Sequence, residues 1–139
     1  MRARTWAMAS LAAGDRDVLE PVPSITHAFE RNHLHGVAYV PEANGLYLAT
    51  HYGLFLLRDG QLYQVGDSRD DYMGFSRHPE DPEIFLASGH PRTGGNMGVV
   101  ISRDGGASWQ PVFTGLGDEV VDFHAMVVSP TARDRLYGI

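Results

Sequence analysis

Three stretches of the chain can be written beneath one another without gaps, and this internal repeat constrains the fold more than any other feature of the sequence. The first is His33-Leu34-His35-Gly36-Val37-Ala38-Tyr39-Val40-Pro41, followed by Leu46-Tyr47-Leu48-Ala49-Thr50. The second is Asp71-Tyr72-Met73-Gly74-Phe75-Ser76-Arg77-His78-Pro79, followed by Ile84-Phe85-Leu86-Ala87-Ser88. The third is Asp122-Phe123-His124-Ala125-Met126-Val127-Val128-Ser129-Pro130, followed by Leu136-Tyr137-Gly138-Ile139. Each carries a small residue (Gly36, Gly74, Ala125), a proline five positions later, and then a second apolar run. Proline donates no ladder hydrogen bond, so it ends the first strand of each unit.

Two further strands follow the second run. In the first unit they are Gly53 to Leu57 and Gln61 to Val65, joined by Arg58-Asp59-Gly60, and Asp-Gly between apolar strands is a strong hairpin signal. In the second unit they are Gly98 to Ser102 and Ser108 to Phe113. The abundance of turn formers, with Gly at 16 and Pro at 8, suits short strands rather than long helices, and 43% hydrophobic residues suffice for a packed core. Four antiparallel strands per unit, in units of roughly 40 to 50 residues, describe the blades of a propeller. The expected fold is therefore all-β, a partial β-propeller of about two and a half four-stranded antiparallel blades. The blades span about 33–66, 71–115 and a truncated 122–139. A ring cannot close on that count, so the remaining blades of a longer parent chain, or other copies, are expected to cover its open edges and apolar face.

Residues 1–32 fit no blade. Met1 to Gly14 begins basic and turns weakly apolar, like a stunted signal peptide, but Asp15, Arg16 and Asp17 follow at once. It reads as a short leader, and Pro21 to Ile25 as a possible closing strand. No segment approaches the ~20 apolar residues of a membrane helix.

Between the third and fourth strands of the second unit lies Ser102-Arg103-Asp104-Gly105-Gly106-Ala107-Ser108-Trp109, which matches the Asp-box pattern Ser-x-Asp-x-Gly-x-Ser/Thr-Trp at every defined position. A turn suits this chemistry: Asp104 can accept from loop amides, Gly105 and Gly106 tolerate positive φ, and Trp109 can bury a large surface between sheets. Ser102, Asp104, Gly106, Ser108 and Trp109 are thus structural residues on the propeller rim. With the segments HLHG (33–36), HYGL (51–54), DYMGFS (71–76), SGHP (88–91) and DFHAM (122–126), the chain resembles a family of bacterial Asp-box (BNR) repeat propellers, labelled glycosyl hydrolases or exo-α-sialidase-like proteins. The resemblance covers about residues 33 to 139. It is more distantly similar to photosystem II assembly factors and to sortilin-type receptor propellers. The resemblance implies export to the periplasm, cell surface or medium; it does not imply a reaction.

The repeat itself points to a site. His33, Asp71 and Asp122 occupy one equivalent position, and His35, Met73 and His124 another, two residues on. The first strand of a blade lines the central channel, and residues two apart share a face. His51 and His90, near the ends of second strands, reach the same mouth. Imidazoles with one thioether and nearby carboxylates are transition-metal donors: Met73 leans toward copper, while His and Asp alone suit zinc. Nothing asks for an organic cofactor. The plainer alternative is that these residues hydrogen-bond one another at the tight centre of the blades. His27 and His78 fall outside the pattern and read as surface residues.

Other chemistries are weaker. A sialidase requires an arginine cluster, a Tyr nucleophile with a Glu partner and an acid Asp. No arginine sits at an axial repeat position, and alternation turns Tyr72 away from Asp71 into the core. Asp71 and Asp122 are candidate acid and base for a glycosidase, or partners that orient the histidines. A third reading is a protein-binding or assembly propeller that uses the Gly-rich loop Pro91 to Met97. A net charge of −6 argues against nucleic acid, and the absence of cysteine excludes thiolate metal sites.

Overall fold

The computed structural model describes residues 19–22 and 32–139. The leader, and residues 23–25 of the expected closing strand, lie outside them. The described chain is all-β: eleven strands and one 3-10 turn form three antiparallel sheets in series. The first sheet contains β2 (Leu34–Val40), β3 (Gly45–Thr50), β4 (Gly53–Arg58) and β5 (Gln61–Val65), extended at its outer edge by β1 (Leu19–Pro21). The second contains β6 (Asp71–Arg77), β7 (Phe85–His90), β8 (Val99–Ser102) and β9 (Gln110–Phe113), in chain order. The third pairs β10 (Met126–Val128) with β11 (Leu136–Gly138). The two complete units and the half unit of the repeat are therefore present as sheets.

Local chemistry explains the strand ends. Pro41 terminates β2 and opens a 3-10 turn (Pro41–Ala43) closed by Asn44 in the left-handed region. Asp59 and Gly60 both have positive φ, 51° and 75°, the geometry of a two-residue type I′ hairpin matched to strand twist. β1 pairs with β5 from Leu19 to Pro21, slightly earlier in the chain than the Pro21 to Ile25 expected, and it adds a fifth strand to a sheet that already has four.

The sheets face one another through large side chains. Tyr47, Leu54, Leu56 and Val65 of the first sheet meet Tyr72, Phe75, Phe85 and Val100 of the second in one core. The Tyr47 and Phe85 rings lie 4.8 Å apart across this seam. Fully burying a side chain such as Phe85 contributes about 1.5–3 kcal/mol. At the inner end the first strands of successive sheets run side by side, β2 against β6 and β6 against β10. This explains the small residue of the repeat. A Cβ on Gly36 would lie 2.7 Å from Phe75 Cβ, and one on Gly74 would lie 2.5 Å from the Phe123 carbonyl oxygen.

Two details depart from the gap-free alignment. Leu46 pairs with Tyr39, but its counterpart opposite Arg77 is Phe85 rather than Ile84. The β6–β7 connection thus holds one extra residue, which the alignment had absorbed as a slip. In the third unit Asp122 to Ala125 is not regular strand; instead the His124 and Ala125 amides donate to the Ile139 carbonyl.

Candidate metal centre

Thr50, the last residue of β3, sets up the first cluster. Its hydroxyl donates to the Gly53 carbonyl (2.9 Å) and accepts from the Tyr52 amide (3.1 Å) and the Asn32 side chain (3.0 Å). That uses the full capacity of one hydroxyl and fixes a tight turn. Gly53 closes it with φ 104°, where a Cβ would strike the Ser68 carbonyl. His51 sits on this turn, its amide held by Asn32 Oδ1 at 3.0 Å. His35 comes from a β-bulge in β2, where the pairing register shifts between Leu34 and Gly36. A bulge redirects the extra side chain. β6 repeats the bulge between Tyr72 and Gly74, at Met73.

Asp71, at the start of β6, receives these imidazoles across the seam. His51 Nδ1 lies 2.8 Å from Asp71 Oδ2, and since a carboxylate only accepts, Nδ1 carries the proton. His51 Nε2 then holds a lone pair, 3.2 Å from His35 Nε2 and 3.3 Å from His33 Nδ1. Burial, then the neighbouring His51, lowers the His35 pKa from its ordinary value, with Asp71 opposing and His33 and His124 adding to the fall. His35 is therefore a neutral donor at neutral pH. Asp71 Oδ1 is buried, has no hydrogen-bond partner and lies 3.8 Å from His35 Nε2.

A second cluster follows one seam later. His124 Nε2 lies 2.8 Å and His90 Nε2 3.5 Å from Asp122 Oδ2. Asp122 Oδ1, like Asp71 Oδ1, is buried without a partner. The clusters adjoin, because Asp71 of the first and His90 of the second are opposite residues in the β6–β7 ladder. His35, His51 and Asp71, and separately His90, Asp122 and His124, each gather donor atoms within 4.8 Å of one another and could hold a metal ion.

The expected histidines thus fall into two groups rather than one, with His33 joining the first through His51. Met73 stands half-buried at its bulge, and among the described residues no hydrogen bond reaches its sulfur. Asp71 and Asp122 each accept a hydrogen bond from a histidine ring, His51 and His124 respectively. Asn32 and Thr50, which hold His51, went unnoticed in the sequence; a Thr two residues before Tyr52 and three before Gly53 was the available signal.

Tyr72 is 1% exposed, stacks on Trp109 with ring centres 4.9 Å apart, and donates its hydroxyl to Ser68 at 2.8 Å. Burial pushes its pKa far above the ordinary tyrosine value, so it is no ready nucleophile. The Asp-box forms the β8–β9 turn. Ser108 donates to Asp104 through its amide (2.9 Å) and its hydroxyl, Ser102 donates to Asp104 Oδ1 (2.8 Å), and Gly106 N donates to Ser102 Oγ (2.8 Å). Gly106 has φ 92° and packs so closely that a Cβ would meet Leu54 of the first sheet at 2.3 Å. These residues hold a seam and take no part in either cluster.

The loop Pro91 to Met97 is tied down by Arg92 N on Asp70 Oδ1 (2.8 Å) and by Asn96 on the Val120 carbonyl (3.0 Å). Among the described residues no helix is long and apolar enough to cross a membrane. No family model matches the chain, and no curated protein or solved structure is significantly similar to it.

Proposed function

We propose that the chain is part of an exported Asp-box propeller whose axial cluster of His33, His35, His51 and Asp71 binds a transition metal, zinc or copper. The observation that carries this reading is Asp71 Oδ1, a buried carboxylate oxygen without a hydrogen-bond partner beside converging imidazole nitrogens. A buried charge left in that state costs free energy unless a cation meets it. With its Nδ1 proton on Asp71, His51 turns its Nε2 lone pair toward His35 and His33, and the lowered pKa of His35 keeps its ring neutral. Three nitrogens and one oxygen, with no thiolate, form a donor set suited to zinc or to copper(II).

The ring itself is supported by the sheet order, the radial packing of first strands and the Asp-box seam. Val37 and Tyr39 of β2, and Val127 and Tyr137 of the third sheet, are apolar yet exposed, as expected of faces that further sheets would cover. A glycosyl hydrolase remains the alternative, with the assembly propeller behind it.

Purified protein titrated with zinc and with copper should bind stoichiometrically, and His51→Ala should lose an equivalent with folding retained. No uptake of either metal by the folded protein overturns the reading and returns the search to glycosides and protein partners.

A further inference from the structure

His90 closes β7 and donates a ring proton to the backbone. Its Nδ1 lies 3.1 Å from the Gly95 carbonyl, which can only accept, so the proton resides on Nδ1. In the neutral ring Nε2 then presents a lone pair toward Asp122 Oδ2 at 3.5 Å. A lone pair facing a carboxylate is repulsive unless a proton or a metal ion lies between them. A histidine that gives its far N–H to a backbone carbonyl while its near nitrogen faces an oxyanion has the arrangement of a metal ligand. His124 Nε2 donates to the same oxygen at 2.8 Å, a proton that a metal ion bound there would displace, and Asp122 Oδ1 is buried without a partner.

We infer that His90, Asp122 and His124 form a second metal site, distinct from the first, with a coordination position open to water or a small anion. This deepens the metal reading proposed above and can fail separately from it.

The open position follows from the donor count and from exposure. In the first cluster the grouped donors are His35, His51 and Asp71, and His33 stands beside them within hydrogen-bond reach of His51. At the second seam the residue in the place of His33 is Asp71, and it is engaged by His51. Three protein donors remain, the number that leaves a tetrahedral ion one free position. The side chains of His124 and His90 are 59% and 38% exposed, against 17% for His35 and 31% for His51. A cleft of about 430 Å³ lies between the two clusters, lined by His51 and Asp71 of the first and His90 of the second, with Tyr52, Arg69 and Arg92 around them. Its two arginines favour an anion as the incoming ligand. A metal ion held by three donors would acidify a water in its fourth position, which would bring hydrolysis within the reach of this site.

The test is titration of the full chain with Co²⁺, followed by azide. Two equivalents of Co²⁺ are expected. His90→Ala and His124→Ala should each remove one, and His51→Ala should remove the other. Azide should change the visible spectrum of the wild-type and His51→Ala proteins and leave that of His90→Ala unchanged. One equivalent, lost in His51→Ala and retained in His90→Ala and His124→Ala, overturns the second site and keeps the first. Two equivalents with no azide response overturn the open position, and no binding overturns both sites. Circular dichroism checks folding; should either alanine variant unfold, Asp122→Asn, which keeps the side-chain shape, is read in its place by the same criteria.

Discussion

Around Asp104 the two carboxylate oxygens collect the Ser108 amide, the Ser108 hydroxyl and the Ser102 hydroxyl, so one short side chain closes a turn that contains two glycines at positive φ. Burial alone would raise its pKa, but the hydrogen bonds from Ser108, Ser102 and Ala107 outweigh burial and hold it below 3.8. The fold therefore favours the ionised form. The associated stability is complete above pH 3.8 and is lost as the pH falls through the lower folded value. Asp104→Ala should cost about 1 kcal/mol at neutral pH, discounted because the carboxylate is exposed, and the difference between variant and wild type should shrink on acidification. Urea denaturation at pH 7 and pH 3 measures both; an undiminished difference at pH 3 would show that the ionised carboxylate is not what matters.

The strands follow the repeat closely, and their departures from it decide where the clustered imidazoles and carboxylates point. Alternation placed Asp71 and Tyr72 on opposite faces, and Tyr72 is indeed buried against Trp109 while Asp71 meets His51. The hairpin at Asp59-Gly60, the Asp-box turn and the small residue before each proline were all legible, because each is a local requirement of backbone geometry or close approach. The bulges at His35 and Met73 were not, since an extra residue in a ladder leaves no mark on a gap-free alignment. Nor was the division of one expected histidine set into two, because it depends on which side of a seam each imidazole faces. The close approach at Gly36 gives a test at this scale. Gly36→Val places a Cβ 2.7 Å from that of Phe75 and should push β2 away from β6, lowering stability by about 2–3 kcal/mol and weakening metal uptake through His35. Thermal melts and zinc titration of the variant check it; wild-type affinity alongside reduced stability would uncouple the strand spacing from the site.

Across the whole molecule, neither cluster belongs to one sheet. His33, His35 and His51 come from the first unit and Asp71 from the second; His90 comes from the second and Asp122 and His124 from the third. An ion bound at either cluster would therefore tie neighbouring sheets whose other links are apolar packing and a few bonds such as Val128 N to Ser76 Oγ (2.9 Å). Zinc at a hundredfold excess over its dissociation constant stabilises the folded state by about 2.7 kcal/mol per site, which should raise the melting temperature by on the order of 10 °C, reversibly with a chelator. Differential scanning calorimetry with zinc and with EDTA reads this directly, and an unchanged transition would mean that the ions do not bridge sheets. The seam has a consequence for heredity as well. When a repeat protein grows by duplicating a unit, it duplicates strands, but a site divided between neighbours is created only where the copy lands beside a suitable partner. A recombination event that moved the second unit elsewhere would carry Asp71 and His90 with it, one residue from each of two sites and the whole of neither.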